Sequence, residues 1–500
     1  MTVPDPLLGA GGAHVPGPPW ILGARGAPRL APENTWSSLS AALELGLDGV
    51  AYDLRACASG ELVLCADARL ERTTDAEGRL AARTLVELAG VDAGGWFDAR
   101  FAGERLALFE EALGLEGNQA GSWPQHLVVL REDDLAADVA RVVADEGRHL
   151  SLRVATRRRD TALALRDLGL APLWIVDAPD DEVRAFVRRE RLAACGLVGR
   201  AWPRERVEGW PSERWSLDLE RPEDLLAACA APVNALTTRA GERALAARAL
   251  AKVAVDDPPR WPLEVGELAI EPAASAAAGG QWSGQWRSRA RVHNPFGWPC
   301  AYRLELRVRQ GAFECDGLPA LGELAPGEAC EHAFALRGGS FSPGGDPELV
   351  LSLAWPRGPG RPGEALAFDA PLARVRTLHL AEGATRLPML VERPGDPPAS
   401  VNVRRAGGAL VLRLENAGGL EDARLVAHLD GVDHEGGASL RLRLPRDADA
   451  RAGGVPFSVA IVGRERRGRG SRPRARRWAG GLPPETESGS VGRLVARREA

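Results

Sequence analysis

The stretch WILGARGAPRLAPENTWSSLSAALELGLDGVAYDLR, residues 20–55, decides the fold of the amino-terminal half. WILGA is a short apolar run that ends just before an Arg-Gly pair. A proline-rich turn, APENT at 31–35, leads into a segment with helical apolar spacing. After a glycine-bearing turn a second apolar run, GVAYDL, begins at 49. Strand, loop, helix, strand is the repeating unit of a parallel α/β fold.

The same alternation continues outward. Further strand-like runs are HLVVLR at 126, HLSLRVA at 149, PLWIVD at 172, ACGLVG at 194, RWSLDL at 214 and VNALTT at 233. Helix-period segments such as DDLAADVARVVADEG and DTALALRDLG lie between them. Eight strands with helical crossovers predict a closed TIM (β/α)8 barrel over 19–258, preceded by a flexible leader over 1–18. The gap between the second and third strands is too long for one crossover. Residues 57–115 form an insertion with a hairpin signal, ACASGELVLCAD, and a helix, RTLVELAGVD. An insertion of that size belongs at the carboxy-terminal face of a barrel, where sites are built.

From about 260 the helical period disappears. YRLELRVRQG, HAFALRGG and ELVLSLAWP alternate as strands do, which predicts an Ig-like β-sandwich over 262–376. Residues 377–500 read as a second β-rich domain of sandwich or jelly-roll type.

The bulk properties exclude some function classes. A net charge of −5 gives no general attraction to nucleic acid. No apolar run approaches the roughly 20 residues that span a bilayer. The leader MTVPDPLLGAGGAHVPGPP has no basic region and no apolar core, so a cytoplasmic location is expected. The seven cysteines show no metal-ligand spacing and read as buried free thiols, although Cys57 and Cys65 flank the hairpin and would be able to approach one another.

Residues 20–49 resemble the opening of the glycerophosphodiester phosphodiesterases: a hydrophobic strand, His-Arg-Gly, Pro-Glu-Asn-Thr and an amphipathic helix. LELGLDGVAYDLR at 43–55, GELVLCADARLERTT at 60–74 and LVELAGVDAGGWFDARFAGERLALFEEAL at 85–113 are similar to later segments of that family in the same order. The resemblance implies a divalent metal held by carboxylates at strand ends, two histidines for proton transfer, and an arginine and a lysine that neutralise the phosphate.

This chain departs from that pattern. The first histidine position is Ala24 and the second is Ala66, beside a retained Asp67. The Glu-x-Asp pair reads Ala51-Tyr52-Asp53, the Glu-x-Lys pair aligns with Val129 and Arg131, and the Thr-Asp motif is Thr237-Thr238. The phosphate arginine is kept as Arg25. Losing both proton-transfer groups costs about 10²–10⁴ each, and Asp53 alone is a poor cage for Mg²⁺ or Ca²⁺. The expected function is therefore a barrel of this family that has lost catalysis and acts as a binding or scaffold protein without a cofactor. Two alternatives stand beside it: an active metal-dependent phosphodiesterase of lipid metabolism with a relocated centre using Asp53 and Asp67, and a glycan- or protein-binding β-region with the barrel as spacer. Of the barrel's histidines, His126 and His149 fall at strand starts, the wrong face for catalysis.

Arg25, Arg131 and Arg55 are candidates for a residual pocket for an anionic or phosphate-bearing small ligand. The opposing reading has Arg25 bridging Glu33 or Asp53 and holding the loops, with Glu33 bracing its turn. Trp202, Trp210 and Trp215 suggest either a stacking platform or packing, the latter favoured. The basic run RERRGRGSRPRARR at 464–477 reads as a solvated loop between strands, with no nucleic-acid role. His428 and His434 flank a Gly-rich turn, HLDGVDHEGG, rather than a metal cluster.

Overall fold

The computed structural model describes residues 18–117, 123–146, 151–207, 209–255, 258–266 and, beyond these, strand-forming stretches between 268 and 496. The leader up to 17 with His14, and also His149 and Trp282, lie outside the described residues. Contacts divide the chain into two units, 1–261 and 262–500.

The first unit is the barrel. Its strands are β1 (Trp20–Ala24), β2 (Gly49–Ala56), β3 (Leu62–Leu64), β4 (Gln125–Leu130), β5 (Leu152–Thr156), β6 (Pro172–Ile175), β7 (Ala194–Val198), β8 (Glu213–Leu217) and β9 (Ala235–Thr238). All except β3 are parallel neighbours in a ring that closes where β1 pairs with both β2 and β9. All eight sequence-predicted strands fall at their expected places. Inward-facing Leu22, Ala51, Leu127, Ala155, Leu173, Trp215, Leu217 and Ala235 fill the interior, with Val129 packed against them. Longer crossover helices, such as α1 (Trp36–Glu44), shield the outside of the ring.

The turn after β1 sets the mouth. Arg25 and Gly26 both take left-handed backbone, with φ of 61° and 82°. A Cβ on Gly26 would lie 2.4 Å from the Ser38 carbonyl oxygen, so only glycine fits there. Thr35 caps α1 by accepting from the Ser38 amide, and Ser38, Leu39, Ala42 and Leu43 form the buried face.

The insertion starts as the expected hairpin, with β3 antiparallel to β2. It packs its own small core from Cys57, Val63, Cys65, Leu70, Leu80 and Leu88. Ser37 on α1 donates through amide and hydroxyl to Glu104, tying the insertion to the barrel. The hairpin register separates its two thiols. Cys57 lies opposite Glu61, and Cys65 opposite Asp53. Four residues of strand, about 13 Å, lie between them, and both are buried free thiols, the reading favoured from the sequence over their approach.

Among the described residues the second unit is all β, with one sheet of eleven strands and two sheets of four. In the large sheet Arg376–Leu380 runs parallel to both Leu268–Glu271 and Arg493–Ala496. Hydrogen bonding thus crosses the position 376/377, where a domain boundary is expected from sequence. The basic run is strand and not loop: Val455–Arg467 and Gly470–Arg477 pair antiparallel, because their alternating arginines suit the period of two. His428 stands opposite Asp433 in the hairpin of Leu420–Leu429 and Val432–Gly436.

Candidate functional site

Asp53 is the centre of the barrel mouth. It follows the inward Ala51 by two residues on β2, and its side chain is only 3% exposed. Asn34 of the Pro-Glu-Asn-Thr turn, left-handed at φ 58°, holds it twice. The Asn34 amide donates to Asp53 Oδ2 at 3.1 Å, and its Oδ1 accepts from the Asp53 backbone N–H at 3.1 Å. Arg25 Nε lies 2.8 Å from Oδ2, and Arg131 places Nε and Nη2 each 2.6 Å from Oδ1.

The network extends outward. Arg25 Nη1 donates to Glu33 Oε1 at 3.0 Å. Arg72 of the insertion reaches Glu33 with both terminal nitrogens, at 3.1 and 2.5 Å, and donates through Nε to Asp67. Burial works against the Glu33 charge, but Arg72, Arg25 and Arg239 outweigh it and hold the carboxyl below its ordinary range. Burial likewise opposes the Arg25 charge, and Asp53 and Glu33 more than offset it.

Arg25, Arg131, Asp53, Glu33 and Asp67 are therefore brought together, as alternate ions of one network. Arg55 is not part of it. Its guanidinium donates to the Ala66 carbonyl at 3.2 and 3.0 Å and to Glu132 at 3.0 Å. Ala24, at the end of β1, pairs in register with Ala51, and both are buried. Thr237 and Thr238 spend their hydroxyls as acceptors for the amides of Asp218 and Ala240, at 2.8 and 2.9 Å. His126 is fully buried at the start of β4, where its Nδ1 meets the Tyr52 hydroxyl at 3.2 Å.

Arg72 and Asn34 are the members that sequence reasoning missed. Both stood in motifs already recognised, Asn34 in the turn and Arg72 five residues beyond Asp67. Asp218, at the end of β8, joins the rim electrostatically. Its close surroundings, and then the charge of Asp53, push its carboxyl up against Arg239, Arg25 and Arg131. Asp218 itself is exposed at the rim.

A divalent cation does not fit this donor set. Asp53 has its oxygens directed at guanidiniums and an amide, and the neighbouring inward positions are the apolar Ala51 and Val129. Among the described residues, no three His, Cys, Asp or Glu side chains stand close enough together to hold a metal. The tryptophans are packing. Trp202 and Trp210 meet edge to face at 4.9 Å, and both are 2% exposed. Trp202 Nε1 donates to the Trp215 carbonyl at 2.8 Å.

Comparison with known proteins finds likenesses in the amino-terminal part of the chain. Residues 25–132 match the model of the glycerophosphoryl diester phosphodiesterase family. A glycerophosphodiester phosphodiesterase of Caldanaerobacter subterraneus is 37% identical over 99 residues, 20% of this chain and 41% of that protein. A probable glycerophosphodiester phosphodiesterase of Mycobacterium tuberculosis is 37% identical over 83 residues, 17% of this chain and 30% of that protein. The matched part thus spans well under half the length of these relatives. A glycerophosphodiester phosphodiesterase structure from Agrobacterium tumefaciens is similar at 22% identity and a TM-score of 0.40, covering 46% of this chain and 99% of that one. Residues 25–132 of the amino-terminal barrel are therefore similar to the glycerophosphoryl diester phosphodiesterase family.

Proposed function

We propose that the barrel is a non-catalytic member of its family that serves as a binding or scaffold domain. The observation that carries this reading is the saturation of Asp53 by Arg25, Arg131 and Asn34. In a metal-dependent phosphodiesterase that position has to present free carboxylate oxygens to a cation. Here two guanidiniums sit against it, and neither Ala24 nor Ala66 can move a proton. The residues that remain can neutralise an anion without transforming it: the outer edges of Arg72 and Arg131 are 46% and 35% exposed at the mouth. A small phosphate-bearing or other anionic molecule is the ligand class that this rim suits.

The test is hydrolysis of glycerophosphodiesters and of bis(p-nitrophenyl) phosphate by the full chain, with Mg²⁺, Ca²⁺ and Mn²⁺ supplied in turn. The expected result is no turnover above that of the Asp53→Ala variant. Metal-dependent turnover that the variant loses would sink the proposal and favour a relocated centre.

A further inference from the structure

The second unit contains a cluster unrelated to the barrel. Strand Cys300–Arg307 belongs to a four-stranded sheet, and strand Ala329–Arg337 to the large sheet. Tyr302 on the first reaches His332 on the second, with the phenol oxygen 3.1 Å from Nε2. Cys330 is two residues before His332 and so shares its face of the strand. Its sulfur is 3.4 Å from the same Nε2. Tyr302 has little freedom to turn away, because its ring packs on the backbone at Gly322, where a Cβ would come within 2.7 Å. Tyr302 is 8% exposed, while Cys330 and His332 are half-buried and within reach of a small solute.

We propose that Cys330, His332 and Tyr302 form a thiol-modification site that reacts with small hydroperoxides. With the ring proton on Nδ1, Nε2 takes the proton of the Cys330 thiol. The resulting thiolate faces the imidazolium N–H at the same Nε2 that the phenol oxygen meets, so a positive charge and a charge-assisted donor stand against the sulfur. The sulfur attacks the nearer peroxide oxygen. An S–O bond forms, the O–O bond breaks, and sulfur is oxidised by two electrons to the sulfenic acid. The leaving oxygen takes the proton back from His332 and departs as water or an alcohol. Tyr302 stays protonated throughout, since burial pushes the phenol up to about 12.

The other thiols lack this arrangement. Cys57 is hydrogen-bonded to the Glu61 carboxylate, which opposes a thiolate. Burial pushes Cys65, Cys300 and Cys315 up to about 11, and Cys195 and Cys229 to about 12. Cys315 is half-buried like Cys330, with Asp316 rather than an imidazole beside it, and so serves as an internal control.

The experiment treats the reduced full chain with limiting hydrogen peroxide, traps sulfenic acid with a dione probe and reads each cysteine by peptide mass spectrometry. Cys330 is expected to label at least about tenfold faster than Cys315. His332→Gln should bring Cys330 down to the Cys315 rate, and Tyr302→Phe should slow it less. Equal rates for the two cysteines in the unmodified chain overturn the proposal, and so does a His332→Gln variant that labels as fast as the parent. If His332→Gln fails to fold, the comparison of Cys330 with Cys315 in the parent chain decides alone.

Discussion

Arg131 closes on Asp53 with two nitrogens at 2.6 Å from a single carboxylate oxygen, although 78 residues separate them in the chain. Arg25 takes the other oxygen at 2.8 Å. One buried anion therefore balances two cations, and the three side chains act as a unit.

Removing that anion is the most damaging change at the mouth. Asp53→Ala leaves two guanidiniums facing each other in a site with little solvent, and breaking a buried pair from one side costs about 3–5 kcal/mol. Arg131→Ala should cost much less, because Arg131 is 35% exposed and Arg25 still neutralises Asp53. Urea denaturation of both variants checks the order. Equal losses would mean that the network is not centred on Asp53.

The left-handed turn is equally specific. Gly26→Ala would place a methyl group 2.4 Å from the Ser38 carbonyl at a φ of 82°. We expect a loss well above about 1 kcal/mol, whereas Gly103→Ala, where nothing lies within 4 Å, should show only the smaller left-handed strain. Thermal unfolding of the pair distinguishes a clash from the backbone preference.

Acid sensitivity should begin before the carboxylates titrate. Burial lowers His126 from 6.5 to about 4. The unfolded chain therefore binds the proton first, and stability falls as pH drops from 6.5 toward 4, by about 3 kcal/mol in all. Below that window the depressed Glu33 acts in the same direction: the stability it contributes above its unfolded pKa is lost as pH falls through its folded value. Stability curves at pH 7, 5.5 and 4.5, compared with those of His126→Gln, test this. A variant with an unchanged slope between 6.5 and 4.5 would remove His126 as the cause.

Divalent metal should not stabilise the barrel. Any ligand that binds the folded state raises the melting temperature by mass action, so millimolar Mg²⁺, Ca²⁺ or Mn²⁺ should leave it unchanged, while inorganic phosphate should raise it if the arginine edges receive an anion. Arg72→Ala should abolish the phosphate effect. A metal-dependent rise lost in Asp53→Ala would contradict the reading of the mouth.

Much of this was legible in the chain. Strand positions follow from apolar runs of four to eight residues, which is a local property, and the barrel closes because eight of them alternate with crossovers. The apolar side chains at 24, 51, 66 and 129 were legible too, set against the motif that these segments resemble. The basic run at 464–477 misled because arginine and glycine resemble a loop by composition, whereas alternate spacing lets them pair as strands. Cys57 and Cys65 are the buried free thiols that the sequence favoured, and only the hairpin register shows how far apart they stand.

The sequence by itself determined the barrel and the likeness of residues 25–132 to the glycerophosphoryl diester phosphodiesterase family. Tertiary structure alone decided what the surviving charges do. Whether Arg25, Arg131 and Arg72 face solvent or turn inward depends on distances between groups as far apart in the chain as Glu33 and Arg72 or Asp53 and Arg131. Coulomb attraction in a water-poor mouth is steep in distance, and only the folded barrel sets those distances. It directs the arginines onto Asp53 and Glu33.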